Sequence, residues 1–327
     1  MTGSDTFQLE ILDRLSDLPA QEWNALLPKD AGPFLRHEFL SALEETGCVG
    51  GNTGWQVAHL ALKDGQKLLG VMPLYLKQHS YGEYVFDWSW AQAYEQQGMQ
   101  YFPKALCAIP FTPVQGSRIL SAGDFDRNLV TQHLIEGLKT IVLQNNLSSA
   151  HVLFPYAPEV AELKKQGFML RDSVQFHWHN QGFESFEQFL AALTMKRRKN
   201  IRREREQVAR ELISFKHVPG KSSTDADWEF FCRCYANTYL EHRSNPYLSE
   251  TFFKLWAQRM PENLHLIIAE RSGNPIAASM LVADQTSSKA YGRYWGAIEH
   301  VPCLHFETAY YQAVSYTHLT LPTIYSV

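Results

Sequence analysis

The hydrophobic and polar positions alternate between strand-like and helix-like periods along the first half of the chain. Runs in which apolar residues alternate or follow one another predict strands, whereas apolar residues spaced three and four apart predict helices. The predicted strands are 7–12, 55–62, 68–77, 150–154 and 168–178, and the predicted helices are 19–27, 36–46, 125–144 and 159–166. Because strands and helices are mixed along this stretch, we predict an α/β domain over residues 1–181.

A polar break at 180–182 precedes a second series of elements, which begins with apolar residues at helical spacing from Phe186 onward. The further predicted helices are a basic one ending near 212, 225–241, 249–260 and one that opens near 305, and the predicted strands are 213–218, 264–270, 275–283 and 289–295. The predicted hairpin at 59–76 is mirrored at 265–282, which suits two copies of one α/β unit. We therefore predict a second α/β domain over residues 182–314.

The last segment, 315–327, departs from the pattern before it. A helical run ends at Val314 and is followed by a Thr-rich stretch with Pro322, which resembles translated sequencing-adapter sequence. We therefore expect the natural chain to be cut near Val314, the segment 315–327 to be non-native, and the last helix to end early. Poor packing of this segment would leave apolar surface of the second domain uncovered. A native segment would instead bury its apolar side chains, Leu319, Leu321 and Ile324.

The composition is that of a folded protein without a strong overall charge. Hydrophobic residues make up 45% of the 327 residues, charged residues make up 20%, and the formal net charge is −4. This balance excludes a largely disordered chain and a global polycation that binds nucleic acid or membranes through charge alone. The N-terminal residues lack a basic segment followed by an apolar run, and the longest apolar stretch, 68–76, is too short to span a bilayer. We expect a cytoplasmic protein without a membrane span and without a DNA partner.

Five cysteines at wide and irregular spacing argue against a disulfide framework. Cys232 and Cys234 lie two residues apart on a predicted helix, so their side chains point in different directions and do not suit a shared metal ion. We expect buried thiols and no metal site.

The densest aromatic stretch of the chain lies between Lys77 and Lys104. Aromatic rings with polar tips beside carboxylates suit a cleft that stacks on a sugar or clamps a peptide. The alternative is a buried edge of the first core, although Glu83 and Asp87 are charges that a core disfavours. The candidate residues here are Lys77, His79, Glu83, Asp87, Trp88, Trp90, Tyr94 and Lys104.

A basic stretch at 196–205 carries seven positive charges and one acidic residue. On a helix that begins here, Lys196 lies on one face, and Arg198 and Arg202 lie on another. Cations and free backbone N–H groups at a helix start suit a phosphate or a nucleic-acid backbone. A solvated helix face is the alternative, but such faces normally mix charges of both signs.

A third candidate region is a late strand together with His305 and Glu307. Arg293, beside Tyr294 in an otherwise apolar strand, requires an anionic partner, which is either a structural carboxylate (Glu307 or another one) or a ligand. His305 and Glu307 suit an acid–base pair, or they satisfy each other structurally. The stretch that starts at Arg293 is near the pyrophosphate loop of acetyl-CoA-dependent acetyltransferases, but Ile298 stands where that loop has a small residue. This disfavours a conventional acetyl-CoA enzyme, and the sequence also lacks the P-loop, dinucleotide-binding and nucleophile-elbow motifs.

Several of these stretches together resemble a known family. The blocks that carry the resemblance are Phe34-Leu-Arg36-His37-Glu-Phe39, Lys77-Gln-His79-Ser-Tyr-Gly-Glu83-Tyr-Val-Phe-Asp87-Trp88-Ser-Trp90, Pro110-Phe-Thr-Pro113, Gln175-Phe-His177-Trp178-His-Asn180, Lys196-Arg-Arg198-Lys-Asn-Ile-Arg202-Arg-Glu-Arg205, Tyr291-Gly-Arg293-Tyr294-Trp-Gly296 and Leu304-His305-Phe-Glu307. They are similar to the FemAB-like predicted N-acyltransferases, a family labelled peptidoglycan biosynthesis/recognition. The resemblance covers nearly the whole chain to Val314, after which family members continue with a Gly-Ala-Gln-Gly-Glu-His-Lys-type segment that this sequence lacks.

The resemblance implies a bacterial protein with two tandem GNAT-like domains, in which mixed sheets are flanked by helices. It also implies transfer of an acyl group from an activated ester or thioester to an amine. More remotely, the chain is similar to aminoacyltransferases that build peptidoglycan cross-bridges. The implied donors are acyl-CoA, an acyl carrier or an aminoacyl-tRNA, with tRNA as a candidate partner and no tightly bound cofactor. The implied acceptor is a small molecule or a cell-wall precursor, and the alternative is a non-catalytic module that recognises peptidoglycan precursors.

We expect the acceptor cleft along 77–104, at the junction of the two domains. The base that removes the amine proton is expected to be Glu83 or Asp87, with His305 and Glu307 as the alternative. The expected substrate-binding residues are Arg36, His37, Lys77, His79, Trp88, Trp90, Tyr94, Lys104, Gln175, His177, Lys196, Arg198, Arg202, Arg293 and Tyr294.

Overall fold

Two compact units make up the chain, Met1–Ser173 and Val174–Val327. The computed structural model describes residues 7–320 and 323–326, with side chains as far as Tyr316. The division lies before the polar break at 180–182, because the strand Phe176–His179 pairs within the sheet of the second unit. Both units combine strands with helices, as the hydrophobic pattern predicts.

The first unit contains two four-stranded sheets and five α-helices within its described residues. Its elements are β1 (Phe7–Leu12), α1 (Ala20–Ala25), α2 (His37–Glu45), β2 (Trp55–Val57), β3 (His59–Asp64), β4 (Lys67–Met72), β5 (Leu74–Lys77), α3 (Trp88–Gln96), β6 (Lys104–Cys107), β7 (Leu120–Ser121), α4 (Arg127–Gln144), β8 (Ala150–Val152) and α5 (Ala157–Lys165). The strand orders are β1-β3-β4-β7 and β2-β5-β6-β8. All neighbours pair antiparallel except β6 and β8, which are parallel.

The predicted long hairpin of the first unit is shared between these two sheets. Its two arms are interrupted at Ala58 and Pro73, so β2 and β5 pair in one sheet while β3 and β4 pair in the other. Proline lacks the N–H that a continuous ladder needs, which explains the break in the second arm. Helix α4 packs closely on β4, because a Cβ at Gly70 would come within 2.3 Å of Val130 Cγ1.

The predicted strand 168–178 is wrong over most of its length. Strand structure in this stretch is confined to Phe176–His179. Met169 and Val174 are apolar but highly exposed, so their contribution to the apparent apolar run does not reflect burial in a sheet.

The second unit is built on one six-stranded sheet. Its elements are β9 (Phe176–His179), α6 (Phe186–Ala192), α7 (Met195–Arg210), β10 (Ile213–Pro219), α8 (Asp225–Glu241), α9 (Glu250–Arg259), β11 (Leu264–Arg271), β12 (Asn274–Asp284), β13 (Lys289–Ala297), α10 (Leu304–Phe306), α11 (Gln312–Thr320) and β14 (Thr323–Ser326). The strand order is β10-β11-β12-β13-β14-β9. Only β13 and β14 run parallel, and a short π-helical segment, Glu307–Tyr311, joins α10 to α11.

Helix α8 lies against the middle of this sheet and begins at a capping box formed by Thr224 and Asp227. A Cβ at Gly296 would come within 1.9 Å of Cys234 O, so only glycine permits the observed contact between β13 and α8. Gly296 therefore serves close packing within a strand. Close packing therefore accounts for this glycine, and a pyrophosphate loop is not needed to explain it.

The expectation that the last helix ends near Val314 is wrong. Helix α11 continues to Thr320, and the backbone of Thr323–Ser326 pairs with β13 on one side and β9 on the other. The helix continues because tertiary packing of Ala313, Val314 and Tyr316 outweighs the weak local period. Threonine, isoleucine and tyrosine favour strands, which agrees with the strand at Thr323–Ser326. The expected burial state of Leu319, Leu321 and Ile324 lies outside the described side chains. The non-native origin of 315–327 stays a prediction.

Candidate functional site

The loop that joins β5 to α3 is tied to β6 by three charged residues, which we call the acid–lysine cluster: Glu83, Asp87 and Lys104. Lys104 Nζ donates to Glu83 Oε2 at 2.8 Å and to Asp87 Oδ2 at 2.5 Å. The same amine lies 3.4 Å from Ser80 Oγ, and Tyr101 donates its hydroxyl to Asp87 Oδ2 at 2.6 Å. One lysine of β6 therefore holds both ends of the loop.

The two carboxylates of the acid–lysine cluster differ in their pKa. Burial tends to raise the pKa of Asp87, but hydrogen bonds from Lys104, Ser80 and Tyr101 outweigh it and lower that pKa to about 2. Burial raises the pKa of Glu83, and the attraction of Lys104 offsets this only in part. A carboxylate with a pKa near 2 is a weak base at neutral pH, so Asp87 is poorly matched to removing an amine proton.

Aromatic side chains on the outer side of the same loop are open to solvent. Phe86 is 75% exposed, and none of the nine residues of α3 is buried. Tyr81 and Trp88 meet edge to face with ring centroids 5.1 Å apart. The exposed rings of this surface are Tyr81, Tyr84, Phe86, Trp88 and Trp90, while Tyr94 is half-buried with its ring centroid 5.2 Å from that of Tyr101.

Lys77 lies inside the first unit, without exposed surface. Its Nζ is 3.7 Å from the centroid of a Trp55 ring and donates to the carbonyl oxygen of Tyr81 at 3.3 Å. Burial lowers the pKa of Lys77 to about 7. His79 donates from Nε2 to Thr53 O, and burial together with the charge of Lys77 lowers its pKa.

Arg36 and His37 make local structural contacts at the start of α2. The Arg36 guanidinium forms two hydrogen bonds to the Glu38 carboxylate, at 3.2 and 3.0 Å. His37 Nε2 lies 3.1 Å from the carbonyl oxygens of both Leu15 and Leu18. These contacts tie α2 to the segment that precedes α1.

The second unit contains an open groove of about 530 Å³, which we call the second-unit groove. Apolar side chains of α6, α7 and β10 share its lining with charged residues of α6, α7 and the π-helical segment. The lining residues are Glu187, Leu190, Arg202, Arg205, Glu206, Val208, Ala209, Ile213, Phe215, Glu307 and Gln312. A groove with an apolar lining and a few convergent charges is the usual form of a small-molecule site.

Glu307 is the most enclosed carboxylate of this groove. Arg205 Nε donates to both of its oxygens, at 3.2 Å to Oε1 and 3.0 Å to Oε2, and Gln312 Nε2 donates to Oε1 at 2.7 Å. The Arg205 guanidinium also lies 4.4 Å from the centroid of the Phe186 ring, where a cation is attracted to the aromatic face.

Only part of the basic stretch 196–205 contributes to the groove. Arg202 Nη2 donates to Glu187 Oε2 at 2.7 Å and lines the groove, whereas Arg198 Nη1 donates to the backbone oxygen of Ala191. Lys196 is exposed near the start of α7. The helix that the spacing predicts is confirmed, and the role of its positive charges in binding phosphate stays a prediction.

His305 and Glu307 do not form the predicted acid–base pair. Glu307 is held by Arg205 and Gln312, and no hydrogen bond in the described part of the chain joins it to His305. The His305 ring instead faces Trp295, with centroids 5.0 Å apart, and partial burial lowers its pKa. The two residues point apart because they are only two positions apart on one helical turn.

Of the partners considered for Arg293, Glu307 is not the one, because its carboxylate is held by Arg205 and Gln312. Another carboxylate or a ligand as the anionic partner stays a prediction. Arg293 Nη2 donates to the Tyr294 hydroxyl at 3.1 Å, and the guanidinium lies 4.8 Å from the centroid of the same ring. His177 lies on β9, with Gln175 just before that strand, and burial lowers the pKa of His177.

Of the eleven residues that line the groove, only Arg202 and Glu307 were predicted as site residues, and those missed include Arg205 and Gln312. Arg205 belongs to the basic stretch and follows Arg202 at helical spacing, which is the one signal that could have found it. Its carboxylate partner lies 102 positions further along the chain, so no local pattern indicates the pair.

The described residues contain no group of three or more histidine, cysteine or acidic side chains arranged to hold a metal ion. All five cysteines are free, and burial raises the pKa of Cys232 and Cys234 to about 12. Within the helices described, none is long and apolar enough to cross a membrane.

Comparison with known proteins identifies a family and several solved structures of similar fold. Residues 14–319 match the sequence model of the FemAB-like family, described as peptidoglycan biosynthesis/recognition. The crystal structure of FemX aligns over 94% of this chain and 87% of that chain, with 13% identity and a TM-score of 0.52. The structure of L-PGS from Bacillus licheniformis aligns over 94% of this chain and 75% of that chain, with 9% identity and a TM-score of 0.54.

A tandem GNAT protein from the clavulanic acid biosynthesis pathway aligns over 98% of this chain and 89% of that chain, with 10% identity and a TM-score of 0.45. None of the curated protein sequences matches the chain. At such identities structural likeness shows the fold alone. Together with the family match, the mixed sheets flanked by helices confirm the predicted α/β fold class.

Proposed function

Because the chain belongs to the FemAB-like family of peptidoglycan biosynthesis/recognition, we propose that it is an N-acyltransferase or aminoacyltransferase. It transfers an acyl group from an activated ester or thioester to the amine of a small molecule or a cell-wall precursor. In this reaction the amine nitrogen forms a bond to the acyl carbon, the bond from that carbon to the donor's oxygen or sulfur breaks, and the proton lost by the amine ends on the leaving alcohol or thiol.

The second-unit groove is the observation that carries this proposal. Ala209, Ile213 and Phe215, which are exposed or half-buried, offer apolar surface to an acyl chain or an aminoacyl side chain. Arg202, on the same groove, offers a guanidinium that an anionic group can take over from Glu187. Acyl-CoA, an acyl carrier and an aminoacyl-tRNA all carry phosphate, so each donor class can use this charge.

Glu307 is suited to orienting the amine in this groove. A carboxylate offers about four acceptor positions on its two oxygens, and Arg205 and Gln312 use three of them. The remaining position on Oε2 can accept an N–H from an incoming amine. Glu83 and Asp87 have a different setting, because both are enclosed with Lys104. Their proposed role as the base stays a prediction, as does that of His305.

A second candidate function is recognition of a cell-wall precursor without catalysis. It is favoured by the exposed rings beside α3, which offer flat faces for stacking while the acid–lysine cluster holds their loop in place. Under this reading the chain binds its ligand and turns nothing over.

A donor and acceptor screen separates the two functions. Acyl-CoA, acyl-carrier and aminoacyl-tRNA donors are incubated with amine acceptors, including peptidoglycan precursors, and the products are identified by mass spectrometry. We expect transfer by the parent protein and a loss of about 100-fold for Glu307→Gln, because the amine is no longer held in its orientation. Glu206→Gln, on the same groove but ion-paired among the described side chains only to Arg210 at 3.8 Å, is the matched control and is expected to retain activity.

Binding of a precursor without any transfer would overturn the transferase and support the recognition module. Transfer that is equally reduced in Glu206→Gln and Glu307→Gln would contradict the assignment of Glu307.

A further inference from the structure

Polar side chains continue from Glu307 to the inner part of the sheet. Gln312 Nε2 donates to Glu307 Oε1 at 2.7 Å, and Gln312 Oε1 lies 3.2 Å from His217 Nε2. His217 Nδ1 in turn lies 3.0 Å from His265 Nε2. We call this series the Glu307–His265 chain: Glu307, Gln312, His217 and His265.

The hydrogen-bond direction of the Glu307–His265 chain is determined at its Glu307 end. Glu307, ion-paired with Arg205, only accepts, so the amide group of Gln312 must face it with its nitrogen. The amide oxygen then faces His217 and accepts, which requires a proton on His217 Nε2.

A neutral imidazole has one donor and one acceptor nitrogen. His217 Nδ1 is therefore an acceptor, and His265 must carry its proton on Nε2. Both histidines are thus restricted to the same tautomer.

The packing around the histidines encloses the far end of the chain. His217 and His265 lie diagonally across β10 and β11, and Gln312 and Tyr316 of α11 contact them. His217 keeps exposed surface, whereas His265 is buried. The Tyr316 ring is stacked on His265 with centroids 4.1 Å apart, and His265 is 2% exposed. The charged groups along the Glu307–His265 chain are Glu307 and its partner Arg205, at the end away from the two imidazoles.

His265 Nδ1 is buried and has no hydrogen-bond partner in the described part of the chain. A bare imidazole nitrogen in that place costs less than an N–H group without an acceptor, and a charged ring costs more. Burial, together with the neighbouring His217, lowers the pKa of His265 to about 4. Both arguments keep His265 neutral, which is the form that the chain requires.

We propose that His265 and His217 are positioning residues for the second-unit groove. Through Gln312 they hold the Glu307 carboxylate in the orientation that leaves one acceptor position for an amine. The function of that orientation rests on the proposed transferase, whereas the chain itself does not. The other tautomer of His265 would accept from His217 at Nε2 but would place an N–H on Nδ1, which has no acceptor in the described part of the chain.

The tautomers can be read directly by long-range ¹⁵N–¹H NMR of the histidine side chains in the full chain. We expect both His217 and His265 to carry their proton on Nε2 at pH 7.5. In Glu307→Gln the neighbour of Gln312 can donate as well as accept, so Gln312 is free to turn and His217 should become a mixture of tautomers. Glu206→Gln is the control and should leave both spectra unchanged.

A second measurement follows the positioning effect itself. His265→Phe removes the end of the chain while keeping a ring, and we expect hydrogen exchange at the Gln312 side-chain amide to become about tenfold faster or more. Should this variant fail to fold, Gln312→Ala, which alters a surface helix, is expected to give the same tautomer mixture at His217.

A proton on His217 Nδ1 in the parent, or a single unchanged tautomer in both Glu307→Gln and Gln312→Ala, would overturn the proposal. Neither measurement uses a substrate, so an absence of transfer activity would refute the proposed function and leave this test unaffected.

Discussion

The acid–lysine cluster of the first unit and the Arg205–Glu307 ion pair of the second unit use the same ingredients in opposite settings. Lys104 has no exposed surface, and Glu83 and Asp87 are enclosed with it. Arg205 keeps 32% of its side chain exposed and lines an open groove together with Glu307, whose own side chain is only 4% exposed. A buried carboxylate beside a cation is therefore not by itself the sign of a site. The exposure of the cation separates the two.

The enclosed cluster has a structural task that the open pair lacks. The loop it holds includes Tyr84 and Phe86, whose φ angles of 61° and 48° are in the left-handed region that non-glycine residues avoid. Such backbone persists only where surrounding contacts impose it, and the bonds from Lys104 supply them. The cluster thus holds the loop that carries the exposed rings on its outer side. In the groove, by contrast, Arg205 itself keeps part of its side chain exposed.

Removing the enclosed cation should have the largest effect on stability. Lys104→Met leaves two buried carboxylates without their counter-ion, and we expect the free energy of unfolding to fall by about 3–5 kcal/mol. Lys165→Met, which breaks the exposed pair with Glu162, is the matched control and should change it by less than about 0.5 kcal/mol. Urea unfolding followed by circular dichroism measures both. A loss below about 1 kcal/mol in Lys104→Met would remove the anchoring role.

Neutralising the acids one at a time should separate anchoring from catalysis. We expect Asp87→Asn to lower the free energy of unfolding by about 2 kcal/mol, because it weakens charge-assisted bonds to Lys104 and Tyr101. Its transfer rate, measured at temperatures below the unfolding transition, should stay within about threefold of the parent, because Asp87 serves to anchor the loop. Loss of a catalytic base would instead lower the rate about 100-fold. Glu83→Gln is the parallel case. If either variant folds normally and loses transfer about 100-fold, the base is in the first unit after all.

The basic helix should show a smaller effect, on binding. Arg202→Ala is expected to weaken the binding of a phosphate-bearing donor by about 1.5 kcal/mol, the usual contribution of a charge-assisted hydrogen bond. The difference in binding free energy from the parent should shrink as the salt concentration is raised. Arg198→Ala, whose side chain bonds to Ala191 O, should change binding less. Isothermal titration with a donor analogue compares the two. Equal donor affinities of the parent and Arg202→Ala would show that Arg202 does not bind the donor and forms only its ion pair with Glu187.

The smallest effect concerns acid and involves one histidine in each unit. Burial lowers the pKa of both His151 and His265 to about 4. Between about pH 6.5, the ordinary histidine pKa, and pH 4, these histidines therefore bind protons in the unfolded chain but not in the folded chain. Stability is therefore fully present above about pH 6.5 and is lost as the pH falls toward 4. At pH 5.5 each histidine should account for about 1 kcal/mol of that loss. The difference between urea midpoints at pH 7.5 and 5.5 should shrink in His151→Phe and in His265→Phe, and an undiminished difference would contradict the assignment.

Much of the local structure could be predicted from periodicity alone. Helices α4, α7, α8 and α9, and hairpins β3–β4 and β11–β12, lie where the apolar spacing indicates them, since burial of one face imposes that spacing. The motif blocks likewise identified the family, because they are contiguous stretches of sequence. The candidate regions could be found in the same way, as unusual local concentrations of aromatic or basic residues.

Tertiary structure decided which of those residues act together. The partners of Lys104 lie 17 and 21 positions away, and those of Arg205 and His265 lie 102 and 48 positions away. The order of strands in each sheet and the packing of α11 on β10 and β11 bring these groups into contact, and no period in the sequence encodes that order. The same limit explains why the helix end at Val314 and the pair of His305 with Glu307 were predicted wrongly. A side chain's type and spacing determine its element, whereas its partner and its access to solvent depend on which distant element packs against it.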